Sequence, residues 1–218
     1  MKTDLDLQRD VQEELNWEPS VNAAGIGVIV KDGVVTIEGR VDSLAEKWAA
    51  ERATKRVAGV KALAVEVNVV PPGPSERTDA DIARAAENAL EWSAWVPANQ
   101  VKVMVEKGCI TLEGQVDSEF QRQTAVKVMR RLTGVKRIIN EVTVKPKATP
   151  TDVKAKIEAA FKRSAILEAQ RITVKSDGAT VTLTGSVRNW AEREEADHAA
   201  WAAPGVTKVN DFITTVGY

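Results

Sequence analysis

The sequence predicts an α+β protein: three tandem αββαβ domains, each with two helices packed on one face of a three-stranded mixed sheet. Three observations lead there. The segments Thr36–Val41, Thr111–Val116 and Thr182–Val187 share the pattern Thr-x-x-Gly-x-Val and centre on Gly39, Gly114 and Gly185. Twenty residues after each central glycine comes a Gly-Val pair, at Gly59, Gly134 and Gly205. Twenty-four residues before each lies the last member of an apolar triplet spaced i, i+4, i+8: Leu7, Val11, Leu15; Ile82, Ala86, Leu90; Val153, Ile157, Phe161. Three landmarks in one register define a repeat, with domains at 1–70, 76–145 and 151–218. The segments between them, 71–75 and 146–150, carry prolines, which remove a donor and fix φ, so they read as linkers.

Each element follows from local chemistry. The triplet places its members along one helical stripe. Thr78-Asp79 and Thr151-Asp152 supply N-cap residues for the second and third copies. An alternating run comes next (Ile26, Val28, Val30; Val101, Val103, Val105; Ile172, Val174) and reads as a strand with one buried face. Asp32-Gly33, Lys107-Gly108 and Asp177-Gly178 are tight-turn pairs, so the central-glycine strand completes a hairpin. The third copy has one more residue between its turn glycine and its central glycine, which assigns an extra residue to the turn or a bulge. A second amphipathic helix follows, clearest over 119–132, with the Gly59-type residue at its C-cap, and then a last strand such as Ala64–Val69. Strand–helix–strand is a crossover that puts both helices on one sheet face.

Composition narrows the function. Thirty basic and thirty-one acidic side chains leave a net charge of −1, with no bulk field to draw nucleic acid or lipid. No apolar stretch approaches the roughly 18 residues that span a bilayer, and the first ten residues carry three aspartates and no hydrophobic run, so a cytoplasmic protein is expected. One histidine, His198, and one cysteine, Cys109, leave too little for a zinc site or a nucleophile–base pair. His198 shares its place with Arg52 and Lys127 on the polar side of the second helix. Cys109 shares its place with Val34 and Ala179, so it is expected buried. Gly25-Ile-Gly27 lacks the further glycine of a phosphate loop, and Asp4, Asp6 and Asp10 read as helix-start carboxylates rather than calcium ligands. The six aligned glycines are architectural. No catalytic residue, metal site or cofactor is expected, and nucleic acid is not an expected partner.

The αββαβ order, the Thr-Leu-x-Gly-x-Val strand and the Gly-Val before the last strand resemble the BON domain family, which includes osmotically inducible envelope proteins. The resemblance covers nearly the whole chain, as three copies. It implies binding to phospholipid surfaces or other macromolecules rather than catalysis. It also implies an asparagine in the last strand, for which Asn140 and Asn210 stand one register apart.

Aligning the copies with one another points to surfaces. Trp48 falls where the other copies have Gln123 and Glu194, and Trp201 where they have Lys55 and Arg130, so these two are the candidate interaction surface. Trp190 aligns with Leu44 and Glu119, and Trp95 with Ser20 and Ile166. Trp17 and Trp92 share a place with Arg163. In the middle copy Lys127, Arg130, Arg131, Lys136 and Arg137 cluster around the end of the second helix, a candidate anion or lipid site. The expected function is a stress-related association with anionic phospholipid or envelope components. The alternative is a soluble scaffold binding proteins through tryptophan-bearing faces.

Overall fold

A computed structural model describes residues 2–97, 99–145, 152–164, 167 and 171–216. The first copy runs α1 (Asp4–Trp17), β1 (Ile26–Lys31), β2 (Val34–Val41), α2 (Leu44–Arg56) and β3 (Ala62–Val69). The second repeats it as α3 (Asp79–Glu91), β4 (Val101–Glu106), β5 (Cys109–Val116), α4 (Glu119–Met129) and β6 (Arg137–Val144). The third does so as α5 (Val153–Arg163), β7 (Ile172–Asp177), β8 (Thr180–Val187), α6 (Trp190–Trp201) and β9 (Lys208–Thr215). In every copy the first two strands pair antiparallel and the last pairs parallel to the middle one, giving three mixed sheets. All three helical triplets are buried, and each copy has its own apolar core.

Capping sets the helix starts. Thr3, Thr78, Ser43, Ser118 and Asn189 each accept a hydrogen bond from the backbone N–H three residues on, satisfying donors that a helix start leaves open. Asp152 caps α5 without such a bond, and Thr151 and the 146–150 linker lie outside the described residues. In the first linker Gly73–Ser75 forms a single 3₁₀ turn. The side chains of Glu46, Gln121 and Glu192 reach back to the backbone N–H of Asp42, Asp117 and Arg188, pinning the strand-to-helix corner alike in all copies.

The central glycines are required by close approach. Gly39, Gly114 and Gly185 have φ of +130°, +138° and +126° inside a strand, and a methyl there would overlap the backbone carbonyl oxygens of Gly25, Gln100 and Arg171.

Several expectations change. The third hairpin holds no extra residue. Ile26, Val101 and Ile172 pair with Gly39, Gly114 and Gly185, and every loop is two residues long. The glycine has instead moved from the second loop position to the first. Asp32-Gly33 and Lys107-Gly108 both hold two positive φ angles, with the Asp4 and Asp79 carboxylates accepting from both loop N–H groups at 2.7–3.0 Å. The third copy has Pro150, outside the described residues, where those aspartates stand, and only Gly178 at φ +54°. Gly59, Gly134 and Gly205 are not C-caps. The caps are Val57, Arg130 and Ala202, and the glycines lie farther on, at positive φ in the turn to the last strand. Cys109 is half-buried rather than buried, opposite Glu106 and Arg137 at the end of the sheet. Asn140 and Asn210 stand one register apart, as expected, and the residues matched with Asn140 are Asp211 and Val65. Asn140 and Asp211 each accept from the N–H two residues on, at 3.2 and 2.9 Å.

Candidate functional site

The second helices meet end to end. Leu44, at the start of α2, is only 4% exposed and joins the core of the second copy, with Trp48 and Val69 packed beside it. Trp190, at the start of α6, packs on the core of the first copy and donates its Nε1–H to the Val60 carbonyl at 3.1 Å. Thr215 Oγ1 donates to the Lys61 carbonyl at 3.2 Å in the same junction, and Lys55 pairs with Glu194 at 3.6 Å. At the remaining junction Arg122, on α4, faces the Trp201 ring at 5.1 Å. The first copy therefore meets the second, the second the third, and the third the first: a closed ring.

That ring places the candidate tryptophans. Trp48 is half-buried beneath the Arg130 guanidinium, 3.1 Å from the ring centroid, and Trp201 is half-buried beside Arg122. The places aligned in sequence are thus facing partners in space: Trp48 meets Arg130, Glu194 meets Lys55, and Trp201 meets the neighbour of Gln123. Burial holds the Arg130 guanidinium down to about 10, with the Glu51 carboxylate opposing the shift. On α6, burial raises Asp197 to about 6, helped by Asp211 and Glu119 and resisted by Arg193 and Arg122. Glu51, at the matching place on α2, is raised by burial against the pull of Lys55, Lys47 and Arg130.

The basic cluster divides. Arg130 is committed to the junction, whereas Lys127, Arg131, Lys136 and Arg137 are exposed. The indoles facing solvent are others: Trp17 is 83% exposed, Trp92 88% and Trp95 64%. Trp95 stacks edge-on against Phe120, ring centroids 5.4 Å apart. Phe120, Thr124 and Lys127 recur at helical spacing on α4, and Arg131 follows just past its C-cap Arg130, so this surface leads from an aromatic end to a basic end. Sequence reasoning singled out Trp48 and Trp201 and left Trp17, Trp92, Trp95 and Phe120 aside. The available signal was the arginine at the place of Trp17 and Trp92 in the third copy, since a place that accepts Arg163 is one that faces water.

His198 is exposed, and among the described residues no group of three or more His, Cys, Asp or Glu side chains is placed to hold a metal ion. No described helix is long and apolar enough to cross a membrane.

A family model described as BON domain matches residues 3–71, 78–146 and 150–217. The chain belongs to the BON domain family. Each match takes in one αββαβ unit with its central glycine. Over 146 residues the chain is 29% identical to the osmotically-inducible protein Y of Escherichia coli (strain K12), spanning 65% of this chain and 73% of that protein. Among solved structures, the C-terminal domain of CdsD, the structural protein of the type III secretion system of Chlamydia trachomatis, is 14% identical, covers 99% of this chain and 100% of that one, and superposes with a TM-score of 0.27. The PrgH periplasmic domain is 10% identical, covers 88% and 95%, and gives 0.21.

Proposed function

We propose that this BON protein is a non-enzymatic, stress-related protein that associates peripherally with anionic phospholipid surfaces through its middle copy. One observation carries the reading: the solvent face of α4, where Phe120 backed by Trp95 leads into Lys127 and, just past the helix end, Arg131. Indole and phenyl groups suit the headgroup level of a bilayer, where an apolar body and a wet surrounding coexist. Basic side chains near an anionic leaflet contribute about 1 kcal/mol each, so Lys127, Arg131, Lys136 and Arg137 together suffice for reversible binding at low salt. The even net charge of the whole chain keeps that attraction local. No covalent chemistry is required of any side chain.

Vesicle co-sedimentation tests the proposal. The protein is expected to sediment with phosphatidylglycerol-containing vesicles at low salt and not with phosphatidylcholine alone. Binding weakens as salt shortens the screening length. Lys127→Glu with Arg131→Glu abolishes it, and Phe120→Ala reduces it. No binding to the anionic vesicles at low salt, or equal binding to both compositions, refutes the reading.

A further inference from the structure

The three junctions of the ring are built alike but not filled alike. At the first, Leu44 enters the neighbouring core. At the third, Trp190 lies against the turn before β3, with its ring N–H on the Val60 carbonyl and the Lys55 ammonium 5.3 Å from its ring centroid. The same place at the second junction belongs to Glu119. Glu119 is buried, but it turns back along its own helix to Arg122, at 2.6 Å, and to Gln123 Nε2, at 2.8 Å, and fills nothing across the junction. A cavity of about 270 Å³ is left there, lined by Glu119, Val144, Lys145, Trp201, Ala203 and Val206. Val206 is the repeat's counterpart of Val60, Trp201 of Lys55, and Val144 of Thr215. The cavity stands at the repeat's counterpart of the Trp190 site, with Trp201 where that site has Lys55.

We propose that this cavity is a binding site for a small aromatic ligand bearing a ring N–H, of the indole type. The chain itself shows the fit at the third junction, where an indole occupies the matching space and gives its N–H to the matching carbonyl. At the second junction Val206, whose carbonyl holds the repeat place of the Val60 acceptor, lines the cavity, while the Glu119 carboxylate in the same wall is already engaged by Arg122 and Gln123. Trp201, whose ring also meets Arg122, supplies an aromatic wall, and Val144, Ala203 and Val206 supply apolar ones. The site does not involve the α4 solvent face, so vesicle binding and ligand binding can succeed or fail separately.

Indole is the probe, titrated into the full-length protein and followed by ¹H–¹⁵N NMR at the Trp201 side-chain N–H and the Val206 amide. Saturable shifts at both are expected. Glu119→Trp, which fills the cavity as Trp190 fills its own, weakens indole binding at least tenfold without lowering the melting temperature. If that variant does not fold, Glu119→Leu, which repeats the choice made at Leu44, carries the same expectation. 1-Methylindole, which lacks the donor, binds at least threefold more weakly than indole. Shifts that never saturate, shifts spread over the exposed Trp17, Trp92 and Trp95, equal affinity of both probes, or unchanged binding in the filled variant overturn the proposal.

Discussion

Replacing Gly114 by alanine tests the physical basis of the repeat most sharply. Its φ of +138° lies in a region that side-chain-bearing residues avoid, at a cost of about 1–3 kcal/mol. The added methyl also overlaps the Gln100 carbonyl oxygen, which belongs to the backbone leading into β4 and is not free to swing aside. Clearing the overlap means displacing the start of β4 from its pairing with Gly114, at a further loss of about 1 kcal/mol per hydrogen bond. The expected total is about 3 kcal/mol, a large part of what a domain of this size possesses. Two other glycines calibrate the number. Gly178 has φ +54° but open space around it, so Gly178→Ala costs about 1 kcal/mol. Gly73 has neither constraint, and its alanine variant stays within about 0.5 kcal/mol of wild type. Urea unfolding followed by far-ultraviolet circular dichroism gives all three values. Equal costs at Gly114 and Gly73 refute the argument that close approach, rather than composition, fixes these glycines.

Two further outcomes follow from the ring. Asp197 is an acid raised to about 6 in the folded protein, so its contribution to stability is present below its ordinary value near 3.8 and is lost as pH rises through 6. Asp197→Asn is therefore expected to be more stable than wild type at pH 8, by about 1 kcal/mol after solvent screening, with the difference closing below pH 4; thermal melts across pH check the sign. Trp48→Ala, Arg130→Ala and the double variant should give a coupling of about 1 kcal/mol in a denaturation cycle, and additive losses would show that the stacked guanidinium contributes nothing.

The fold of each copy was legible because its signals are local and repeat. The spacing of Leu7, Val11 and Leu15 fixes a helix face whatever lies outside the domain, and all three are buried. The central glycines mark a backbone contact that only glycine permits. Where reading faltered, a single residue was asked to fix a register. Gly178 looked like the end of a longer turn because a glycine can serve either loop position. The junctions were half legible. Comparing copies flagged the places of Trp48 and Trp201 as unusual, since each is polar elsewhere. Which copy covers which depends on how three domains pack, and no local pattern carries that. The cavity beside Glu119 was out of reach for the same reason: a glutamate at a helix start is ordinary until the tryptophan and leucine that replace it in the other copies are seen filling space.

Closure of the ring is most directly tested by zero-length carbodiimide coupling of the dilute monomer, with the products mapped by peptide mass spectrometry. Lys55 and Glu194 belong to the first and third copies and stand 3.6 Å apart. An isopeptide bond joining them within one chain is the expected result. A monomer whose crosslinks stay within single copies would contradict the closed arrangement.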